Sequence, residues 1–98
     1  MRFRFLKRRL RALYEKETGA SSFAEGVVEA FFDVMAIIAA AKDERDLYGL
    51  KSLRFEKLKG SRSHERSLRL TKQWRLVVEI ESGPDGNRVV VKDIEDYH

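Results

Sequence analysis

One boundary governs what this chain can become. Up to Gly49 the apolar residues recur every three or four positions, and beyond it they recur at every second position. The first period belongs to helices resting one face on a core, the second to strands half covered by one. Consecutive strands with short connections pair antiparallel, and helices gathered in the other half of the chain must cover one face of that sheet. The expected fold is therefore α+β, an N-terminal helical hairpin on one face of a small, mainly antiparallel β-sheet. At 98 residues there is room for one domain, taken to span residues 1–98.

The helical half reads in detail. The opening MRFRF alternates basic and aromatic residues and permits a short strand. Leu6, Leu10, Leu13 and Tyr14 then mark one helical face, with Lys7, Arg8, Arg9 and Arg11 opposite, and Thr18-Gly19 as the stop. Ser22-Phe23-Ala24-Glu25 has the form of a capping box, which makes Ser22 the expected N-cap of a second helix. Ala24, Val27, Phe31, Val34, Met35 and Ile38 form its apolar stripe, ending near Ala41, with Glu25, Glu29 and Asp33 on an acidic stripe. Residues 42–50 form a polar connector with room for an extra turn.

In the second half, segments 53–58, 67–71, 74–81 and 88–95 read as four strands. Lys72-Gln73 makes a tight turn, and Gly83-Pro84-Asp85-Gly86-Asn87 a second one. Alternation places Leu68, Leu70, Leu76, Val78 and Ile80 toward the helices, and Arg69, Arg75, Val77 and Glu79 on the outward face.

Composition removes whole classes of chemistry. The chain has no cysteine, so disulfides, thiolate nucleophiles and Cys-ligated zinc are excluded, and its two histidines, His64 and His98, cannot make a three-His zinc site. The longest apolar run, Val34 to Ala41, is far short of the ~20 residues that span a bilayer. A soluble cytoplasmic protein without membrane attachment or cofactor is expected. The net charge of +4 hides a segregation: residues 1–16 hold seven bases and one acid, and residues 51–75 nine bases and two acids. Clustered cations attract polyanions, although such faces also arise as solvated surfaces paired with acidic ones.

Phosphate-binding glycine loops, the G-x-S-x-G elbow and the two-histidine zincin motif are absent. Ser63-His64-Glu65 has the residue types of a triad, but consecutive residues do not converge on one another. At the C-terminus, Asp93, Glu95, Asp96 and His98 suit a divalent metal by type, yet a strand splits them between two faces; a polar chain end is the plainer reading. A third reading joins that end to the basic segment. Metal-free RNA cleavage needs a base for the 2′-hydroxyl proton, cations at the phosphate and an acid for the leaving oxygen. Lys59, Arg69, Arg75, Tyr97 and His98 supply such an inventory, with the tyrosine ring suited to stacking on a base.

The segments EKLKGSR (56–62), SLRLTKQWR (67–75) and the terminal DYH (96–98), behind a helical hairpin, resemble the HigB-type toxins of the RelE/ParE superfamily. The resemblance covers about Leu6 to His98. It implies a RelE-like fold and a ribosome-dependent endoribonuclease that cuts translated mRNA in the 30S A site, neutralised by a HigA-like helix-turn-helix antitoxin. By the same resemblance Lys59 and Arg75 stabilise the scissile phosphate, and Arg62 and Arg69 are RNA-binding candidates. His98 is the general acid or base, Tyr97 stacks or assists proton transfer, and Asp96 positions them. Some relatives carry a catalytic histidine where this chain has Glu56, so Glu56 is a candidate base. Ser61 replaces a usual acid, and Glu65 or Arg66 a frequent aromatic. A ParE-like gyrase inhibitor and a non-catalytic nucleic-acid-binding module stand as alternatives.

Overall fold

The computed structural model describes residues 1–97. The chain runs β1 (Phe3–Phe5), α1 (Arg8–Lys16), α2 (Val27–Ala40), α3 (Glu44–Tyr48), β2 (Glu56–Lys57), β3 (Glu65–Arg69), β4 (Trp74–Gly83) and β5 (Gly86–Asp96). The five strands form one sheet in the order β1-β5-β4-β3-β2. All neighbours are antiparallel except β1, which pairs parallel to β5 through Phe3↔Val89 to Phe5↔Val91. The expected α+β architecture is thus present, with a mixed sheet because the N-terminal strand enters at the edge beside the last one.

One continuous core joins helices to sheet. Leu10 and Leu13 of α1 and Val27, Phe31, Val34, Met35 and Ile38 of α2 bury against Leu68, Leu76, Val78, Val89 and Val91. Phe3, Phe5 and Tyr14 pack edge-on or tilted at 5.4–5.7 Å, and Tyr14 stacks on Phe32 at 6.1 Å. Leu47 of α3 is fully buried, and the helix is capped by Asp43, whose carboxylate accepts from the Arg45 amide at 2.9 Å.

Four local expectations are corrected. Ser22 does not cap α2: its hydroxyl donates to the Gly19 carbonyl at 2.7 Å within a short 3₁₀ turn, and Gly26, at φ 83°, occupies the cap instead. Leu6 precedes α1 and is 54% exposed, so it lies off the buried face. The first helix stops at Glu17, which itself takes the left-handed conformation at φ 54°. Finally, the strand expected over 53–58 shrinks to Glu56–Lys57. Leu53 belongs to a 3₁₀ turn, and Arg54 breaks the extended backbone with φ 47°, while Leu53 and Phe55 both plug the core.

The longest pairing carries a bulge. Val77 opposes Asp93 and Val78 opposes Val91, so Lys92 is the extra residue in β5. The bulge shifts the alternation by one, which is why Val89, Val91 and Ile94 all reach the same core. Val77 and Val90 lie outside that core yet are 0% and 3% exposed. These two valines are thus buried on the side of the sheet away from the main core.

Burial decides the stability response along the first helix. Leu13→Ala is expected to cost about 2–5 kcal/mol, and Leu6→Ala to stay within about 0.5 kcal/mol, as read by urea denaturation. Equal losses at the two sites would contradict this placement.

Candidate active site on the outer sheet face

Register sets the site. Arg69, Arg75 and Glu95 stand side by side on β3, β4 and β5, and Glu56 of β2 opposes Ser67, the next outward position of β3. The turn between β3 and β4 is built by Thr71, whose hydroxyl accepts from the amides of Gln73 (3.3 Å) and Trp74 (3.1 Å). That turn ties down the chain end: the Tyr97 amide donates to the Gln73 carbonyl at 2.8 Å, and the Gln73 side-chain amide donates to Asp96 at 2.9 Å. The Tyr97 ring consequently lies 5.5 Å from the Arg75 guanidinium, within cation–π range.

Beside this ring opens a cleft of about 300 Å³ lined by Arg54, Glu56, Arg69, Lys72 and Tyr97. Burial pushes the Tyr97 phenol above its ordinary value, and the charge of Glu56 acts the same way, while Arg69, Arg75 and Arg54 oppose them. The phenol is therefore protonated at neutral pH. Among the described residues the Glu56 carboxylate has no hydrogen bond or ion pair, despite the three cations of the cleft. A larger depression of about 430 Å³, between Met1, Lys42 and the β4–β5 hairpin, contains none of the expected site residues.

Next to the cleft, an ionic layer covers the middle of the sheet. Glu65 is 5% exposed and takes hydrogen bonds from both Arg62 and Lys92. Lys92 also faces Glu79 at 3.8 Å, and His64 reaches the same carboxylate at 3.4 Å. Arg62 makes a two-pronged contact with Glu95 at 2.9 and 2.7 Å, and Arg75 approaches Glu95 at 3.5 Å. Burial would raise the Glu65 carboxyl, but the hydrogen bonds from Lys92 and Arg62 outweigh it and hold it below the usual range. Glu95 is lowered chiefly by its hydrogen bond from Arg62.

The structure brings together Glu56, Arg69, Arg75 and Tyr97. It does not bring Lys59 into the lining of the cleft: that side chain is exposed at the turn leading from β2 to a 3₁₀ turn at Gly60–Arg62. Arg62 is committed to Glu65 and Glu95, and Asp96 to Gln73. His98 lies outside the described residues. Sequence reasoning missed Arg54 and Lys72, which line the cleft, and Glu95, which it weighed only as a metal ligand. The spacing of Glu95 from Arg75 across a hairpin was the available signal. Among the described residues, no three His, Cys, Asp or Glu side chains are grouped as a metal site requires, and no helix is long and apolar enough to cross a membrane.

A helical hairpin on one face of a five-stranded mixed sheet is a fold shared with solved toxin structures. A solved structure, the YoeB/ParE toxin from Agrobacterium tumefaciens, matches with a TM-score of 0.62 and 18% identity over 100% of both chains. A sequence model described as the RelE-like toxin HigB of a type II toxin-antitoxin system matches residues 3–98. The chain belongs to that HigB-like family, and so is a type II toxin of the RelE/ParE superfamily, a class that implies an antitoxin partner. A search of the curated proteins returned no match.

The ionic layer has a pH signature. Glu65 and Glu95 are held below the ordinary carboxylate value of 4.5, so their contribution to stability is complete above that value and is lost as pH falls through the lower, folded-state values. Stability from urea denaturation should be level near neutrality and decline below about pH 4.5. Glu65→Gln should cost about 1–3 kcal/mol at pH 7, less than a fully buried pair because Arg62 is 40% exposed and screened by solvent. It should also make the acid decline shallower; an unchanged acid slope would remove Glu65 from the account.

Proposed function

We propose that residues 1–98 act as one toxin domain, a ribosome-dependent mRNA endonuclease of the cytoplasm, and that a HigA-like helix-turn-helix protein is its antitoxin. The observation that carries this reading is the unpartnered Glu56 carboxylate sharing a cleft with the Tyr97 ring and three cations. That combination offers a proton acceptor, a stacking surface and positive potential within a volume suited to one nucleotide. A gyrase inhibitor would have no use for a general base there.

In the proposed reaction a translated mRNA nucleotide in the 30S A site stacks on Tyr97. Glu56 takes the proton of its 2′-hydroxyl, and the resulting oxygen attacks the adjacent phosphorus. Arg75 and Arg69, with Lys59 from the neighbouring turn, stabilise the charge that grows on the phosphate oxygens. Arg62, engaged by two carboxylates, acts behind the site and not on the RNA itself. The bond to the 5′-oxygen breaks, and His98 supplies its proton, leaving a 2′,3′-cyclic phosphate and a free 5′-hydroxyl. Asp96 keeps the chain end on the Gln73 turn. No metal enters the scheme, since the base, acid and phosphate cations are all side chains.

Inducible expression in a bacterium, with mapping of mRNA 5′ ends, tests the proposal. Wild type should generate cuts within translated codons. His98→Ala should abolish growth arrest, and Lys59→Ala or Arg75→Ala should lower cleavage by roughly 10²–10³-fold. Cleavage by purified toxin on programmed ribosomes should not depend on free divalent ions beyond those that keep the ribosome assembled. Growth arrest with intact mRNA would instead favour the ParE-like reading, and full toxicity of His98→Ala would remove the acid–base role of that residue.

A further inference from the structure

We propose that Glu95 is the positioning residue of the site, a carboxylate that Arg62 braces and that in turn holds the Arg75 guanidinium against the Tyr97 ring. This deepens the nuclease reading and rests on it for its consequences in catalysis. The geometry begins with register. In β5 the outward position before the chain end is Glu95, directly opposite Arg75 of β4, which itself opposes Arg69 of β3. Like charges side by side on neighbouring strands repel, so Arg69 and Arg75 need an anion on one flank. Glu95 is that anion.

Arg62 holds the carboxylate in place. Both its terminal nitrogens donate to Glu95, at 2.9 and 2.7 Å, and its Nε donates to the buried Glu65. A planar guanidinium engaged along two edges has little freedom left, so Arg62 serves as a fixed strut between two carboxylates. Arg75 is restrained differently. Its side chain is 18% exposed, and its Nε is buried without a hydrogen-bond partner among the described residues. Contact with Glu95 at 3.5 Å on one side and the Tyr97 ring at 5.5 Å on the other sets the guanidinium's direction.

A carboxylate in this position has two opposed effects. It orders the cation that meets the phosphate, which favours the chemical step. It also places a negative charge next to an incoming polyanion, which weakens binding. Replacing Glu95 by the near-isosteric glutamine keeps the volume and an oxygen acceptor but removes the charge. Binding should then tighten while the chemical step slows. A residue that mattered only for folding would weaken both together.

The experiment compares wild type, Glu95→Gln and Glu65→Gln in single-turnover cleavage of mRNA on programmed ribosomes, across toxin and salt concentrations. Glu95→Gln is expected to slow the saturated cleavage rate by about 10–100-fold, with a half-saturating concentration lower than or equal to that of wild type. Glu65→Gln, which keeps an oxygen acceptor for the Arg62 Nε and leaves both Arg62–Glu95 bonds and the Arg75 contact in place, should stay within about twofold of the wild-type rate at a temperature where all three are folded. An unchanged rate in Glu95→Gln, or equal losses in both variants, would overturn the proposal. A second readout does not require activity: the buried Nε–H of Arg75, followed by ¹⁵N NMR, should exchange with solvent much faster in Glu95→Gln than in wild type or Glu65→Gln. If wild type fails to cut RNA, the nuclease reading falls, and the exchange comparison still decides whether Glu95 holds Arg75. Equal exchange in all three proteins would refute it.

Discussion

The outer face of this sheet depends on carboxylates shared between cations. Val77 and Val90 point away from the helices and are nevertheless buried, so something must exclude water there. No helix does so. On the same face Arg62, Lys92 and Arg75 are each anchored on Glu65 or Glu95. A face that carries this many charges is stable only if their signs are interleaved, and the register of β3, β4 and β5 does the interleaving. The cations of the candidate site are the outermost members of the same layer.

Fold and site are linked through two local devices. The bulge at Lys92 lets one strand serve both faces: it returns Ile94 to the core while leaving Lys92 over the ionic layer. The Thr71–Gln73 turn then receives the end of the chain, so that Tyr97 is fixed on Arg75 by backbone and side-chain bonds to Gln73. With the core-forming faces of α1 and α2 turned to the other side, the cleft beside Tyr97 lies on the outward face of the sheet.

Much of this was legible in the sequence because it follows from short-range rules. Period and turn residues placed α1, α2 and the β3–β4–β5 meander, and the core members Leu13, Phe31, Met35, Leu68, Leu76 and Val78 follow from them. The clearest misplacement depended on a choice between two locally acceptable partners. Ser22 had both a capping role and a turn role open to it, and the Gly19 carbonyl took its hydroxyl. Arg54 sits in a segment whose alternation suits a strand, yet Leu53 ends a 3₁₀ turn and Arg54, at φ 47°, is its left-handed cap. In the site, Glu56, Arg69, Arg75 and Tyr97 were legible as residue types, whereas Arg54, Lys72 and the part played by Glu95 were not, because proximity across strands leaves no trace in local pattern.

By itself, then, the sequence determined the kind of fold, the buried faces and the chemical inventory, since side-chain periodicity and residue type are properties of neighbouring positions. Tertiary structure alone decided which cations are free and which are spent. Arg62 and Arg75 look alike along the chain; one is a strut between two carboxylates and the other is held beneath an aromatic ring. The difference arises from strand register and a single bulge, which set distances between residues some thirty positions apart, and electrostatic pairing is governed by those distances.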